Sequence, residues 1–321
     1  MREGSPSPGV EPKKRSPIER LSPADKITIA YLALIILLTI VSIGRVSCWP
    51  EIVGAHALGS LAIVLLAFKA ERLSSADLSP DIEFSRSLPI IRFVHGWYPV
   101  ALIPVTYKEL SYLIPRIHPQ DFDVQLGALD HRLFGVHPTV WMEKLTWPPL
   151  TDLLQLTYAT YYFLPIVLGA VLWTKGWANR FQFWVFVVVL GFFLSYLGYI
   201  AVPAIGPRFL PSIVDAQTEP LRGVFLYAPI RQMLDRAEGI TRDCFPSGHV
   251  EITLLVLYYA ARFHRRAFWW LLPFGAGLIF STVYLRYHYV VDVAAGVVLA
   301  LIVIAAARPA YQWLGGNAIE A

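Results

Sequence analysis

Eight apolar runs constrain this chain more than any other feature. They cover about 27–46, 52–69, 93–114, 150–174, 181–203, 246–263, 267–285 and 289–307. Each, as a helix rising 1.5 Å per residue, is long enough to cross a hydrocarbon core of roughly 30 Å. In lipid the backbone must satisfy its own hydrogen bonds, so consecutive runs of this length predict an all-α integral membrane protein. Composition agrees: 56% of the 321 residues are hydrophobic and 16% charged, against about 25% charged in soluble domains. The ten tryptophans, 16 tyrosines and 18 phenylalanines suit aromatic belts where the runs end. The formal charge of +4 is spread between the apolar segments, which argues against a nucleic-acid surface.

Residues 1–26 are rich in Ser, Pro, Lys, Arg and Glu without apolar periodicity and read as a disordered tail. The apolar run after them has no small-residue cleavage pattern, so it is expected to stay as an anchor. A membrane domain then occupies 27–308, and 309–321 form a short carboxyl-terminal tail. Counting from an amino terminus inside, the inner loops and tails hold 16 Lys and Arg and the outer loops ten. This bias predicts both termini in the cytoplasm. Loop 115–149 is long and mixed, and an interfacial helix over the mouth of a site is expected there. In the third run Lys108 and Glu109 are adjacent and do not face each other on a helix. Lys108 either snorkels to the interface or makes a polar contact inside the bundle. The two cysteines, Cys48 and Cys244, fall on one side without a CxxC neighbour. A disulfide and two free thiols both remain open, and a zinc site is not expected.

Two polar stretches interrupt the apolar pattern where helices meet loops. One is Asp243-Cys244-Phe245-Pro246-Ser247-Gly248-His249; the other runs from Ser281 to Tyr287 and on through His288-Tyr289-Val290-Val291-Asp292. Ser247 can cap the helix that follows, and a helix amino terminus attracts an anion, above all a phosphate. His288 and Asp292 stand four apart, so on a helix the carboxylate can orient the imidazole. Charge counting, which ignores the motifs, puts both stretches and the arginine-rich loop 204–245 outside. Within reach are Arg208, Arg242 and Arg286, whose guanidinium groups can grip two phosphate oxygens at once.

This pattern fits phosphoryl transfer without metal or cofactor. His288 would attack phosphorus, with Asp292 fixing its tautomer. His249 would protonate the leaving oxygen and then deprotonate the incoming water or alcohol. The arginines and helix N–H groups would bear the charge on the equatorial oxygens.

Pro246-Ser247-Gly248-His249 and Ser281 with His288-Tyr289 and Asp292 resemble the second and third signature motifs of the type 2 phosphatidic acid phosphatase superfamily, the group that includes vanadium haloperoxidases. The resemblance covers roughly residues 90–305. It implies a six-helix core supplied by helices 3 to 8 (about 90–307), with two added amino-terminal helices. It also implies His288 as nucleophile, Asp292 as its partner, His249 as acid and base, and Ser247 and Gly248 on phosphate. The sequence departs at the first motif, where Ala201 replaces a lysine and the order is Pro207-Arg208, and at Thr282, where an arginine is usual. These departures are similar to the inositol phosphorylceramide synthase branch, as is the stretch Leu129–Gly135. The resemblance therefore implies a lipid phosphate phosphatase with its site on the extracytoplasmic face. Two alternatives stand beside it: a transferase passing a phosphoryl-headgroup to an alcohol such as inositol, and a non-catalytic lipid-binding protein. The expected partners are a phosphorylated lipid and the membrane, with no nucleic acid. In a bacterium that membrane would be the inner one. Glu251 is unusual for either branch and is open between complementing the helix dipole and handling an acceptor hydroxyl.

Overall fold

The computed structural model describes residues 16–76, 88–239 and 242–319. Positions 1–15 of the expected tail and Arg86 lie outside the described residues. Each of the eight apolar runs is helical, seven as one helix and the fourth as two. The first is α1 (Pro23–Val41), beginning four residues before the apolar run because Ser22 and Asp25 form a reciprocal capping box. Then come α2 (Trp49–Ala76) and α3 (Leu88–Ile117), the latter continuous through Pro99, Pro104 and Pro115. The expected interfacial segment is α4 (Asp123–Phe134), followed by the short α5 (Pro138–Trp141).

The fourth run is the one that breaks. It forms α6 (Pro148–Ala159) and α7 (Leu164–Thr174), bent by 52° at a single 3-10 turn, Thr160–Tyr162. Pro165 in the first turn of α7 has no N–H to continue the ladder, and its carbonyl accepts from the Trp184 indole at 3.0 Å. The chain continues with α8 (Ala178–Ala201), the short α9 (Pro211–Val214), α10 (Tyr227–Glu238), α11 (Gly248–Phe263), α12 (Arg265–Tyr284) and α13 (Val290–Trp313). Among the described residues, α1, α2, α8, α12 and α13 are long and apolar enough to cross a membrane, and the bent α6–α7 pair makes a sixth. The chain is thus an all-α integral membrane protein. α11, with 16 residues, and α3, which carries Lys108 and Glu109, complete the bundle without meeting that measure.

α8 is the central post. Phe186, Val187 and Val189 are fully buried, and α1, α3, α7, α11 and α13 all pack on it. α2 packs only on the outside, against α1 and α3, and turns Leu58, Leu61 and Leu65 outward, as a lipid-facing helix must. Lys26 donates to the carbonyl of Leu314 at 2.6 Å, so α1 begins and α13 ends at one end of the bundle. The loops bearing the two sequence motifs gather at the other end.

Candidate active site

His288 sits in the turn between α12 and α13, and the turn is fixed from both sides. Tyr287 and His288 both donate their backbone N–H to the Thr282 carbonyl at 3.0 Å. Arg286 takes a left-handed φ of 65°, a conformation that costs a non-glycine residue on the order of 1–3 kcal/mol. Its side chain holds it there by donating to Glu143 at 2.9 Å, Gln217 at 2.5 Å and the Glu219 carbonyl at 2.8 Å. Beyond His288, Asp130 of α4 accepts the N–H groups of Val290 and Val291 at 2.8 and 3.0 Å, capping α13 from another helix.

The second motif is docked onto the third. Ser247 donates its N–H to the Asp292 carbonyl at 3.0 Å, and its hydroxyl accepts from Val250 N at 3.4 Å as the cap of α11. Gly206, with φ 109°, passes so close that a Cβ there would lie 2.7 Å from the Tyr287 carbonyl, so only glycine fits. Asp123 holds this crossing by accepting from Ile205 N at 2.9 Å, Gly206 N at 2.7 Å and the Tyr289 hydroxyl at 3.0 Å.

These contacts bring three side chains together in a buried cluster. His288 Nε2 is 3.4 Å from His249 Nδ1. His288 Nδ1 faces two acceptors, the Cys244 carbonyl at 2.9 Å and Asp292 Oδ2 at 3.5 Å, and beyond them the Cys244 Sγ at 3.6 Å, whose hydrogen goes to Asp292. A nitrogen between two acceptors must carry the hydrogen, which leaves the Nε2 lone pair aimed toward His249. Asp292 Oδ2 also accepts the Tyr289 N–H and the Cys244 thiol, each at 2.8 Å. Burial first, then the Asp292 carboxylate, pushes the Cys244 thiol well up, so it stays a protonated donor. Cys244, His288 and Asp292 have the donor types of a metal site, with ligand atoms within 4.8 Å of one another. They are joined by hydrogen bonds whose protons a metal would have to displace. The His249 ring lies against Tyr158 and Tyr161, with centroids at 4.5 and 4.1 Å, and its Nε2 is buried without a partner.

The arginines divide. Arg208 lies over the Tyr287 ring at 4.8 Å, Tyr287 stacks on Tyr158 at 4.3 Å and Tyr158 on His249, a column from guanidinium to imidazole. Arg208, Arg231 and Arg286 line one pocket of about 410 Å³ beside that column. Arg208 is paired with Asp235 at 2.9 Å and Arg286 with Glu143. Arg242 instead grips Asp121 in two places and does not line this pocket. At the positions where the resemblance expected further cations, Ala201 ends α8, and the Thr282 hydroxyl donates to Ile279 O at 2.7 Å while its carbonyl secures the His288 turn.

Sequence reasoning missed the carboxylates that build the site. Asp123 and Asp130, seven residues apart on one face of α4, were a legible signal; nothing local marked Glu143 or Asp152. Asp152 accepts four consecutive N–H groups, Val224 to Tyr227, at 2.7–3.1 Å and so caps α10. The open alternatives also resolve. Both cysteines are free. Lys108 donates to the Ala237 carbonyl at 3.0 Å, and Glu109 pairs with His56 at 3.1 Å inside the bundle. Glu251 is fully buried and accepts from the Ser195 hydroxyl of α8, a contact that neither sequence reading foresaw.

Fold and site together define a polytopic membrane protein with a buried His–His–Asp cluster at one end of its helix bundle. The family model of the PAP2 superfamily matches residues 124–306, more than half of the chain, and the chain belongs to that superfamily. Membership supports a phosphoric-ester hydrolase or phosphotransferase kind of enzyme. A PA-phosphatase related-family protein of Dictyostelium discoideum is 26% identical over 176 residues, which cover 49% of this chain and 31% of that protein. The chain thus matches about a third of that relative's length. No solved structure matches.

Proposed function

We propose that the chain is an integral membrane lipid phosphate phosphatase working through a phosphohistidine on His288. His288 Nε2 attacks phosphorus, forming the N–P bond as the P–O bond to the lipid breaks, and His249 gives its proton to the departing alkoxide. Asp292 and the Cys244 carbonyl hold the Nδ1 hydrogen and stabilise the positive ring. Water then attacks phosphorus and loses its proton to His249. The N–P bond breaks and inorganic phosphate leaves. What supports this reading is the His288 geometry, with Nδ1 held by the Cys244 carbonyl and the Asp292 carboxylate and Nε2 facing the second histidine at 3.4 Å. The bias of Lys and Arg toward the inner loops favours a site on the extracytoplasmic face.

One observation favours an alcohol in place of water. The pocket beside Tyr287 presents Glu219, Gln217 and Thr218 among arginines already paired with carboxylates. It therefore offers donors and acceptors in balance, as a hydroxyl-rich acceptor needs. The deciding experiment is phosphate release from phosphorylated lipids by the purified protein, with and without inositol, beside His288→Ala. Free phosphate without acceptor, together with an acid-labile phosphoryl label that His288→Ala lacks, is the expected result. A new phosphodiester lipid formed only with the alcohol would establish the transferase. Equal release by the His288→Ala protein would reject the phosphohistidine.

A further inference from the structure

We infer that a slot between α3, α7 and α8 holds the single hydrocarbon chain of the lipid phosphate, and that its aromatic floor limits the length of chain accepted. This rests on the phosphatase reading above. The slot is lined by Val100 and Pro104 of α3, Pro165, Ile166 and Gly169 of α7, and Phe192 of α8 among other residues, and carries no charged side chain. Val100 is 43% exposed, so the slot opens sideways where the bundle meets lipid hydrocarbon. The bilayer itself supplies an occupant there.

Continuity with the reacting histidines selects that occupant as substrate. At the upper end Tyr161 touches Phe192 at 6.0 Å and His249 at 4.1 Å, so a single ring separates slot and site. Ser195, bonded to Glu251 two residues beyond His249, stands three residues from Phe192 on α8, less than one helical turn. At the lower end the slot stops on Trp97 and Phe181, backed by Trp173, with the three ring centroids 4.9–6.4 Å apart. Gly169 lets this floor close, since a Cβ there would already lie 3.2 Å from the Trp97 ring. Phe192 and Phe181 are 11 positions apart on α8, about 16 Å of helix, which matches on the order of a dozen extended carbon–carbon bonds. The slot takes in about 120 Å³, less than one chain of that length fills, so no second chain fits beside it and the chain lies with one side toward the bilayer.

A tail moving from bilayer to slot leaves one hydrocarbon medium for another and gains no hydrophobic energy. Selection therefore acts by fit, and shows as a cut-off rather than a steady rise with length. The test uses the full-length protein in vesicles with monoalkyl phosphates whose chains run from shorter than the slot to well beyond it. Wild type should turn over chains up to the slot length and fall by about ten-fold or more past it. Val100→Trp should move that break to shorter chains, while Leu58→Trp, on the lipid-facing side of α2, leaves the profile unchanged. A length profile that is flat in wild type, or identical in Val100→Trp, would overturn the slot while leaving the phosphatase reading standing. Should no chain be hydrolysed, the phosphatase reading fails on its own. The slot is then judged by cross-linking with an alkyl phosphate bearing a photoreactive tail end. Label on Trp97, Trp173 or Phe181 upholds the chain site, and label scattered over α2 and α13 rejects it.

Discussion

Two of the histidine–carboxylate pairs in this bundle, His56–Glu109 and His288–Asp292, are set apart by their surroundings. His56 on α2 meets Glu109 of α3 at 3.1 Å, while its Nδ1 is held by its own helix through the Ile52 carbonyl at 2.9 Å. Its Nδ1 is taken by the helix and its Nε2 is buried against the Glu109 carboxylate, so neither nitrogen faces a second reacting group. His288 also has one nitrogen between acceptors, but its other nitrogen faces His249, which is itself bracketed by tyrosines and has an unpartnered Nε2. A buried imidazole beside a carboxylate can therefore be a fastener or a nucleophile. What lies across from the second nitrogen decides which.

The widest separation between the two pairs should come from the same substitution at both. His288→Ala is expected to lower phosphate release by at least about 10⁴-fold while the protein still folds. His56→Ala should keep turnover near wild type yet lose roughly 1–3 kcal/mol of stability, because the half-buried Glu109 is left without its partner. Rates and detergent melting curves on both proteins check this; loss of activity in His56→Ala at full folding would erase the distinction. Asp292→Asn comes next. It keeps the shape but withdraws the charge that stabilises the His288 ring, so kcat should fall by on the order of 10²–10⁴-fold with a smaller change in KM. The corresponding Glu109→Gln should leave kcat alone.

Smaller effects probe what holds each pair. Asp130→Ala removes the acceptor for Val290 and Val291 N–H, which should cost about 1 kcal/mol and lower kcat through a looser His288 turn, with Asp130→Asn recovering part of both. The mildest probe is a thiol reagent at slightly alkaline pH. Burial and Asp292 raise the Cys244 pKa, so below that raised value the thiol stays protonated and unreactive, whereas partly exposed Cys48 is alkylated. Mass spectrometry should find label on Cys48 alone in the folded protein and on both cysteines after denaturation.

The three clustered side chains were legible as a candidate site because they lie in short local patterns: His288 and Asp292 four residues apart, and His249 directly after a proline–serine–glycine entry to a helix. The apolar helices were legible for a similar reason, since a hydrocarbon solvent leaves a chain little choice but apolar helix, although among the described residues five, or six with the bent pair, are fit to cross it. The bend in the fourth helix was not, although Pro165 marked where it falls. Of the anchors, the spacing of Asp123 and Asp130 showed along the chain, but not what those carboxylates hold. Asp130 reaches 160 residues ahead to cap α13, Asp123 reaches 166 to Tyr289, and Glu143 pairs with Arg286 across 143. A carboxylate in a polar loop looks alike in sequence whether it faces water or receives a distant N–H.

By itself, then, the sequence determined the solvent, the helices and which residues mark the candidate site, because hydropathy and near-neighbour spacing are local quantities. Only the tertiary structure decided that His249 faces His288, that Arg208 lies over the Tyr287 ring while Arg242 is spent on Asp121, and that an apolar slot runs beneath the site. These depend on which helix faces pack together. In a bundle surrounded by lipid that choice is made by side-chain fit and buried hydrogen bonds, and neither can be read along the chain.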